Sequence, residues 1–353
     1  MKKLRVGIVG CGQIAQIMHL PYLTELPQYE ITALCDISPK VLNTVGEWYH
    51  VNNRYEDYNE LIARDDVDVV LVLTVDHASV AEAAANRGKH VFVEKPLCFT
   101  LAEGDRVIEA AKRNHVHVMV GYMKRFDPGY VYGAQSMKTM QDVRLIRVHD
   151  FAGNFGMHGQ LYTLVTGDDI PKHLLSEGQA KIDASMEAAL GPSHAHLKDV
   201  YSMLLGLCTH DFAVLRGAFG GPKAILFSDA HSRNYMVSVL DYGAGCRCVF
   251  EGGINTSLEM WDESFTAFSK TRNVSVIFPN PYVKYAPTLV TIQENQDGSP
   301  ISKEIPVSHH EAFRNEWLHF YECIEHNREP LTNAADAKAD VELAIEMVRA
   351  VRV

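Results

Sequence analysis

Leu4-Arg5-Val6-Gly7-Ile8-Val9-Gly10-Cys11-Gly12-Gln13-Ile14-Ala15 carries a short apolar run into a glycine turn and then into a helical stretch. The spacing Gly10-x-Gly12-x-x-Ala15 at a strand-to-helix junction is the turn that holds a dinucleotide. Gly10 permits the tight turn, Gly12 lets backbone approach a pyrophosphate, and Ala15 keeps helix and strand close. Gln13 and Ile14 open the helix, whose free N–H groups and dipole favour negative charge.

Outward from this turn, residues 4 to about 122 alternate apolar runs with helical segments. The runs are 4–9, 29–35, 67–73, 89–93 and 116–121, and helices are expected over 79–87 and 101–114. That alternation predicts an α/β domain with a doubly wound parallel (Rossmann) sheet over 1–122. After residue 122 strands follow one another: 143–151, 224–228, 236–242, 246–252, 265–268, 273–278 and 288–293. They predict an α+β domain over 123–353 with a mainly antiparallel open sheet. Asp297-Gly298-Ser299-Pro300 reads as a turn, 174–190 as a helix, and 311–326 and 334–351 as two more. The last helix is expected to pack back on the first domain.

Composition narrows the function classes. The chain has 353 residues, 47% hydrophobic and 22% charged, with a net charge of −11. That balance argues against nucleic acid and against anionic membranes as partners, since both select clustered Lys and Arg. No stretch reaches the roughly 20 apolar residues that span a bilayer. Seven scattered cysteines with no CxxC pair fit reduced thiols, and a cytoplasmic location is expected. Cys246 and Cys248 alternate as strand residues do, so both should face one side of a sheet. No metal site is expected.

Asp36 ends the second apolar run, where a carboxylate accepts hydrogen bonds from the ribose hydroxyls and repels a 2′-phosphate. NAD is therefore expected over NADP, although Ser38 and Lys40 nearby leave NADP possible. Lys95 follows the run 89–93 and should project at the carboxyl edge of the sheet, where ligands of open α/β sheets bind. An ammonium there can hydrogen-bond a reacting oxygen, or act as acid or base.

Ile8-Val9-Gly10-Cys11-Gly12, Thr74 with His77, and Gly88-Lys89-His90-Val91-Phe92-Val93-Glu94-Lys95-Pro96 resemble the Gfo/Idh/MocA oxidoreductases. Gly121-Tyr122-Met123-Lys124-Arg125-Phe126-Asp127-Pro128-Gly129-Tyr130 is similar to the inositol dehydrogenase branch of that family. The resemblance implies that Thr74, His77, Glu94 and Lys95 join the glycine turn and Asp36 in binding the cofactor. It implies dimers or tetramers, and a second-domain histidine that exchanges the substrate's hydroxyl proton. His210 matches that histidine, making Lys95 and His210 the catalytic candidates. Tyr122, Arg125, Asn154 and His210 are the substrate-binding candidates, with His158 and His173 as further polar groups.

The family usually carries an aspartate four residues before the histidine, and here that position is Gly206. Asp211 points about 100° away on a helix, so Asp168, Asp169 and Asp199 remain open as stand-ins. The expected function is hydride transfer between nicotinamide and a secondary alcohol or ketone of a sugar, cyclitol or glycoside. Two alternatives stand beside it. One is a glycoside-processing enzyme with tightly held NAD, and the other is a dinucleotide-binding sensor without catalysis.

Overall fold

The early apolar runs form a six-stranded sheet in a computed structural model that describes residues 2–154 and 158–352. Its strands are β1 (Leu4–Val9), β2 (Tyr29–Cys35), β3 (Arg54–Tyr55), β4 (Val69–Val72), β5 (His90–Glu94) and β6 (Val118–Gly121). They lie in the order β3-β2-β1-β4-β5-β6, and every pair is parallel. All of β4 is buried, as is β5 after its first residue, because helices cover both faces of such a sheet. Two-residue β3 is too short to leave a periodic signal in the sequence.

The strand order reverses between β1 and β4, the point at which ligands bind such sheets. Gly10 follows β1 there with φ 98°, and a Cβ on it would lie 2.8 Å from the Leu73 carbonyl carbon. Only glycine lets the segments after β1 and β4 pass so closely. The crossover helices start at defined caps. Ser38 accepts from the Val41 N–H at Pro39–Trp48, Asp76 from the Ser79 N–H at His77–Asn86, and a Thr100–Glu103 capping box opens Leu101–Asn114. These caps fix the strand-end loops that carry the candidate site residues.

Two compact units result. The first takes Met1–Gly121, Gly159–Ala189 and Glu316–Val341, and the second Tyr122–His158, Leu190–Asn315 and Glu342–Val353. The chain passes to the second unit at Tyr122, and 159–189 groups with the first. Polar pairing explains the return: the Gln16 amide bonds both backbone groups of Val165, each at 3.0 Å, and Lys181 pairs with Asp76. The tail segment is tied by the Tyr29 hydroxyl, which donates to the Trp317 carbonyl at 2.7 Å. The Thr332 hydroxyl donates likewise to that of Val120 at 2.7 Å.

The second unit holds an eight-stranded sheet of β7 (Val143–Ala152), β8 (Ala224–Ser232), β9 (Tyr235–Gly243), β10 (Cys246–Ile254), β11 (Trp261–Ser269), β12 (Arg272–Phe278), β13 (Leu289–Gln296) and β14 (Ser299–Pro306). Its order is β14-β13-β12-β11-β7-β10-β9-β8, and all pairs are antiparallel except β7 with β10. The long connection from β7 through several helices gives the chain the crossover that a parallel pair requires. β14 corrects the sequence reading. Asp297 and Gly298, both at positive φ, make the turn alone, and Ser299-Pro300 already belongs to an exposed edge strand where proline is tolerated. Cys246 and Cys248 are buried on one face, and all seven cysteines are buried, unlinked thiols. No described helix is long and apolar enough to cross a membrane.

Candidate active site

Gly12 and Gln13 are exposed at the start of the first helical segment, Ile14 is half-buried, and Ala15 is buried against the sheet. A Cβ on Gly12 would meet nothing within 4 Å, so the turn presents the open backbone that a pyrophosphate needs. Asp36 is oriented by two backbone donors. Its Oδ2 accepts from the Cys11 N–H at 2.7 Å and its Oδ1 from the Ser38 N–H at 2.8 Å. Each oxygen keeps a lone pair for a ribose hydroxyl. Thr74 donates from Oγ1 to the Asp76 carbonyl at 3.2 Å. These residues fit the adenosine–pyrophosphate part of a dinucleotide.

β5 delivers Glu94 and Lys95 to the carboxyl edge of the same sheet. Glu94 is buried, with Oε1 3.0 Å from His19 Nε2, and Trp317 donates its indole N–H to His19 Nδ1 at 3.1 Å. Indole only donates, so Nδ1 accepts and Nε2 carries the proton offered to Glu94. Burial pushes the Glu94 carboxyl up, but the His19 hydrogen bond and the nearby Lys95 charge hold it below the usual range. Glu316 lies in this cluster, and its ligand-type atoms and those of His19 and Glu94 fall within 4.8 Å of one another. Burial, then the Glu94 charge, pushes the Glu316 carboxyl well up, so it is the protonated member.

The cluster has a consequence for Lys95. Glu94 Oε2 accepts from the Lys95 N–H at 3.1 Å, and His77 Nδ1 donates to the Pro96 carbonyl at 2.6 Å. Backbone on both sides of the half-buried lysine is thereby held, which limits where its ammonium can reach. Gly121, opposite Glu94 in the β5–β6 register, leaves the carboxylate its space: a Cβ there would lie 3.0 Å from Oε1.

In the second unit His210 lies in the helix Thr209–Phe219, directly after a π-turn at Leu204–Cys208 that contains Gly206. Its ring meets that of Tyr122 edge to face, centroids 5.9 Å apart. Two of the expected substrate residues are thus brought together. Arg125 is buried and donates from Nη1 to the Ala213 carbonyl at 3.1 Å, a helix-packing use of its charge. Asn154 is exposed and donates its backbone N–H to Leu258, His173 is exposed, and the His158 side chain lies outside the described residues.

A Cβ on Gly206 would meet nothing within 4 Å, so close contact does not require glycine there. The three open stand-ins each have a partner of their own. Asp168 pairs with Lys40 Nζ at 2.7 Å, Asp169 accepts from the Ser38 hydroxyl and from the Lys40 N–H at 2.8 Å, and Asp199 pairs with Arg233 at 3.3 Å. Asp211, one residue on from His210, turns into the interior.

There it joins Asp150, Cys208, Lys124 and Glu263, all buried. Lys124 forms an ion pair with Glu263 and lies over the rings of Trp261 and Phe278 at 5.7 and 5.1 Å. Trp261 adds an indole N–H to Glu263 Oε2 at 3.0 Å. Asp150 and Glu263 are direct cross-strand neighbours on β7 and β11. Burial pushes the Glu263 carboxyl up to about 7 against the pull of Lys124, and burial with the Asp150 charge raises Asp211 well above its ordinary value. Burial alone would lower Lys124, but Glu263, Asp211 and Asp150 together raise it, so it stays charged.

The sequence reading missed both clusters, although a signal existed for one. Asp150 lies in phase with Ile146, Val148 and Ala152, and Glu263 with Phe265 and Ala267, so strand alternation marks both acids as inward-facing. His19, Gln16 and Glu316 carry no such mark, because their partners lie up to 298 residues away.

Three comparisons bear on this geometry. A family model described as the NAD-binding Rossmann fold of an oxidoreductase family matches residues 4–122. Inositol 2-dehydrogenase of Salmonella typhimurium is 41% identical over 133 residues, 36% of this chain and 39% of that protein. The match therefore spans well under half the length of the curated relative. Among solved structures, a 3-ketoreductase from Actinomadura kijaniata aligns over 99% of this chain and 98% of its own, with TM-score 0.76 and 18% identity. An aldose-aldose oxidoreductase from Caulobacter crescentus aligns over the same shares, with TM-score 0.74 and 22% identity. These two likenesses show that the fold of both units is shared. Residues 4–122 thus match the NAD-binding Rossmann domain of the Gfo/Idh/MocA oxidoreductase family.

Proposed function

We propose that the protein is an NAD-dependent oxidoreductase of a secondary alcohol or ketone on a sugar, cyclitol or glycoside. The observation that carries this reading is Lys95, held at the carboxyl edge of β5 by the Glu94 and His77 contacts, in a domain whose Gly12 face and Asp36 fit NAD. Bound NAD supplies the hydride acceptor. Lys95 donates an N–H to the substrate's reacting oxygen and favours its alkoxide character. His210 takes the hydroxyl proton, with Tyr122 fixing one edge of its ring. Thr74, His77 and Glu94 serve the cofactor side and Asn154 the substrate side, whereas the buried Arg125 is turned to the Ala213 carbonyl.

The relatives' printed names, dehydrogenases and ketoreductases, support turnover over a sensing role. A homodimer or homotetramer in the cytoplasm completes the proposal. The test is a panel of inositols, aldoses and methyl glycosides assayed for NADH formation with the purified chain. At least one should be oxidised. NAD binding with no turnover across the panel would instead support the sensor.

A further inference from the structure

Leu164, Val165, Thr166, Gly167 and Ile170 lie beside the dinucleotide turn and line a half-open cavity of about 240 Å³. Gly12, Gln13 and Asp36 supply its polar side, and Val41, Leu164 and Ile170 its apolar side. Pockets for whole drug-sized ligands run to roughly 300–1,000 Å³, so this cavity suits one end of a dinucleotide. A base between apolar side chains and a ribose on Asp36 match its two sides. The segment is fastened by Gln16, whose Nε2 donates to the Cys11 carbonyl at 2.8 Å and to that of Val165 at 3.0 Å. Its Oε1 accepts from the Val165 N–H at 3.0 Å. The amide orientation is set by that pairing.

Next to the cavity, the segment presents two carboxylates to the start of the helix Pro39–Trp48. Asp169 takes the Ser38 hydroxyl and the Lys40 N–H, and Asp168 takes the Lys40 ammonium. Hydrogen bonds from Ser38 and Lys40 hold the Asp169 carboxyl below its usual range, so it is ionised at neutral pH. Ser38 and Lys40 are the groups after β2 that would otherwise receive a ribose 2′-phosphate. Here their donors already face anions.

We propose that Asp168 and Asp169 are specificity-determining residues, acting with Asp36 as a built-in anion that admits NAD and rejects NADP. The proposal rests on the dinucleotide reading above. A 2′-phosphate entering this corner meets Asp36, Asp168 and Asp169 and finds Lys40 already neutralised, whereas a 2′-hydroxyl needs only an acceptor on Asp36. Both acids are exposed, so removing their charge leaves the packing of the unit intact.

The experiment is calorimetric titration of NAD⁺ and of NADP⁺ into the full chain, as wild type and as Asp168→Asn/Asp169→Asn. Asparagine retains an acceptor for Ser38 and Lys40 while deleting both charges. Wild type should bind NAD⁺ and prefer it over NADP⁺. The double variant should bind NADP⁺ about tenfold more tightly, with NAD⁺ affinity changed less than about threefold. An unchanged NADP⁺ affinity in a variant that still binds NAD⁺ would overturn the proposal and leave the cofactor reading standing. Wild type that binds neither dinucleotide would overturn the cofactor reading itself. Wild type that prefers NADP⁺ would overturn the proposal alone.

Discussion

Each unit buries a group of acids, and the two groups are balanced in different ways. In the first unit Glu94 is ionised, neighboured by the protonated Glu316 and supported by the His19–Trp317 chain of hydrogen bonds. In the second, Asp150, Asp211 and Glu263 share one cation, Lys124. The difference lies in what stabilises the charge. Hydrogen-bond donors orient a carboxylate, and in the first unit that orientation is passed to Lys95 through its backbone N–H. A buried lysine offsets charge without comparable orientation, and its group holds strands β7 and β11 to the segment carrying Tyr122 and Arg125. One cluster orients the backbone of Lys95, the residue proposed to serve the reaction, and the other holds a scaffold together.

Removing the cation of the second group should have the largest effect on stability. Lys124→Met leaves Glu263 ionised or forces it to take a proton, and should cost about 3–5 kcal/mol. Urea denaturation at neutral pH reads this directly. A loss below about 1 kcal/mol would mean that Lys124 is dispensable and the comparison wrong.

Asp211→Asn should change the pH dependence more than the stability itself. The folded-state pKa of Asp211 is raised, so the folded chain holds a proton that the unfolded chain releases. Its contribution is present below the ordinary carboxyl range and is lost as pH rises toward the folded value. The slope for one such group is at most about −1.4 kcal/mol per pH unit. Denaturation midpoints from pH 5 to 8, a window chosen as roughly the span above unfolded carboxyls, should therefore fall less steeply in the variant. Parallel curves for the two proteins would place the extra proton elsewhere.

The smallest effect is expected at Glu316→Gln, because glutamine has the shape of the protonated acid already there. Stability should stay within about 1 kcal/mol of wild type. A larger loss would show that Glu316 is charged, which would remove the distinction between an oriented pair and a cation-balanced trio.

The legibility of these parts follows from how local each is. Gly10, Gly12, Ala15 and Asp36 act through backbone that the strand-turn-helix grammar itself specifies, so sequence spacing was enough to place them. Lys95 was legible as an edge residue because β5 ends at Glu94, but the clamp from His77 and His19 depends on side chains brought in by other strands and the tail. The segment 159–189 joins the first unit without a mark in the sequence. Its ties to the first unit are the Gln16 amide and a few ion pairs, and no hydrophobic periodicity announces such contacts. β14 was lost for a related reason. Its side chains are mostly exposed, and an edge strand with Pro300 has neither the alternation nor the apolar content that marks a strand.

Lys95 is proposed to serve the chemical step and not merely to contact the cofactor. On a substrate identified in the panel, kcat of Lys95→Met should fall by about a hundredfold to ten-thousandfold. NAD⁺ affinity measured by calorimetry should stay within about threefold of wild type. A variant that keeps near-normal kcat, or whose loss is accounted for by weakened NAD⁺ binding alone, would contradict the account.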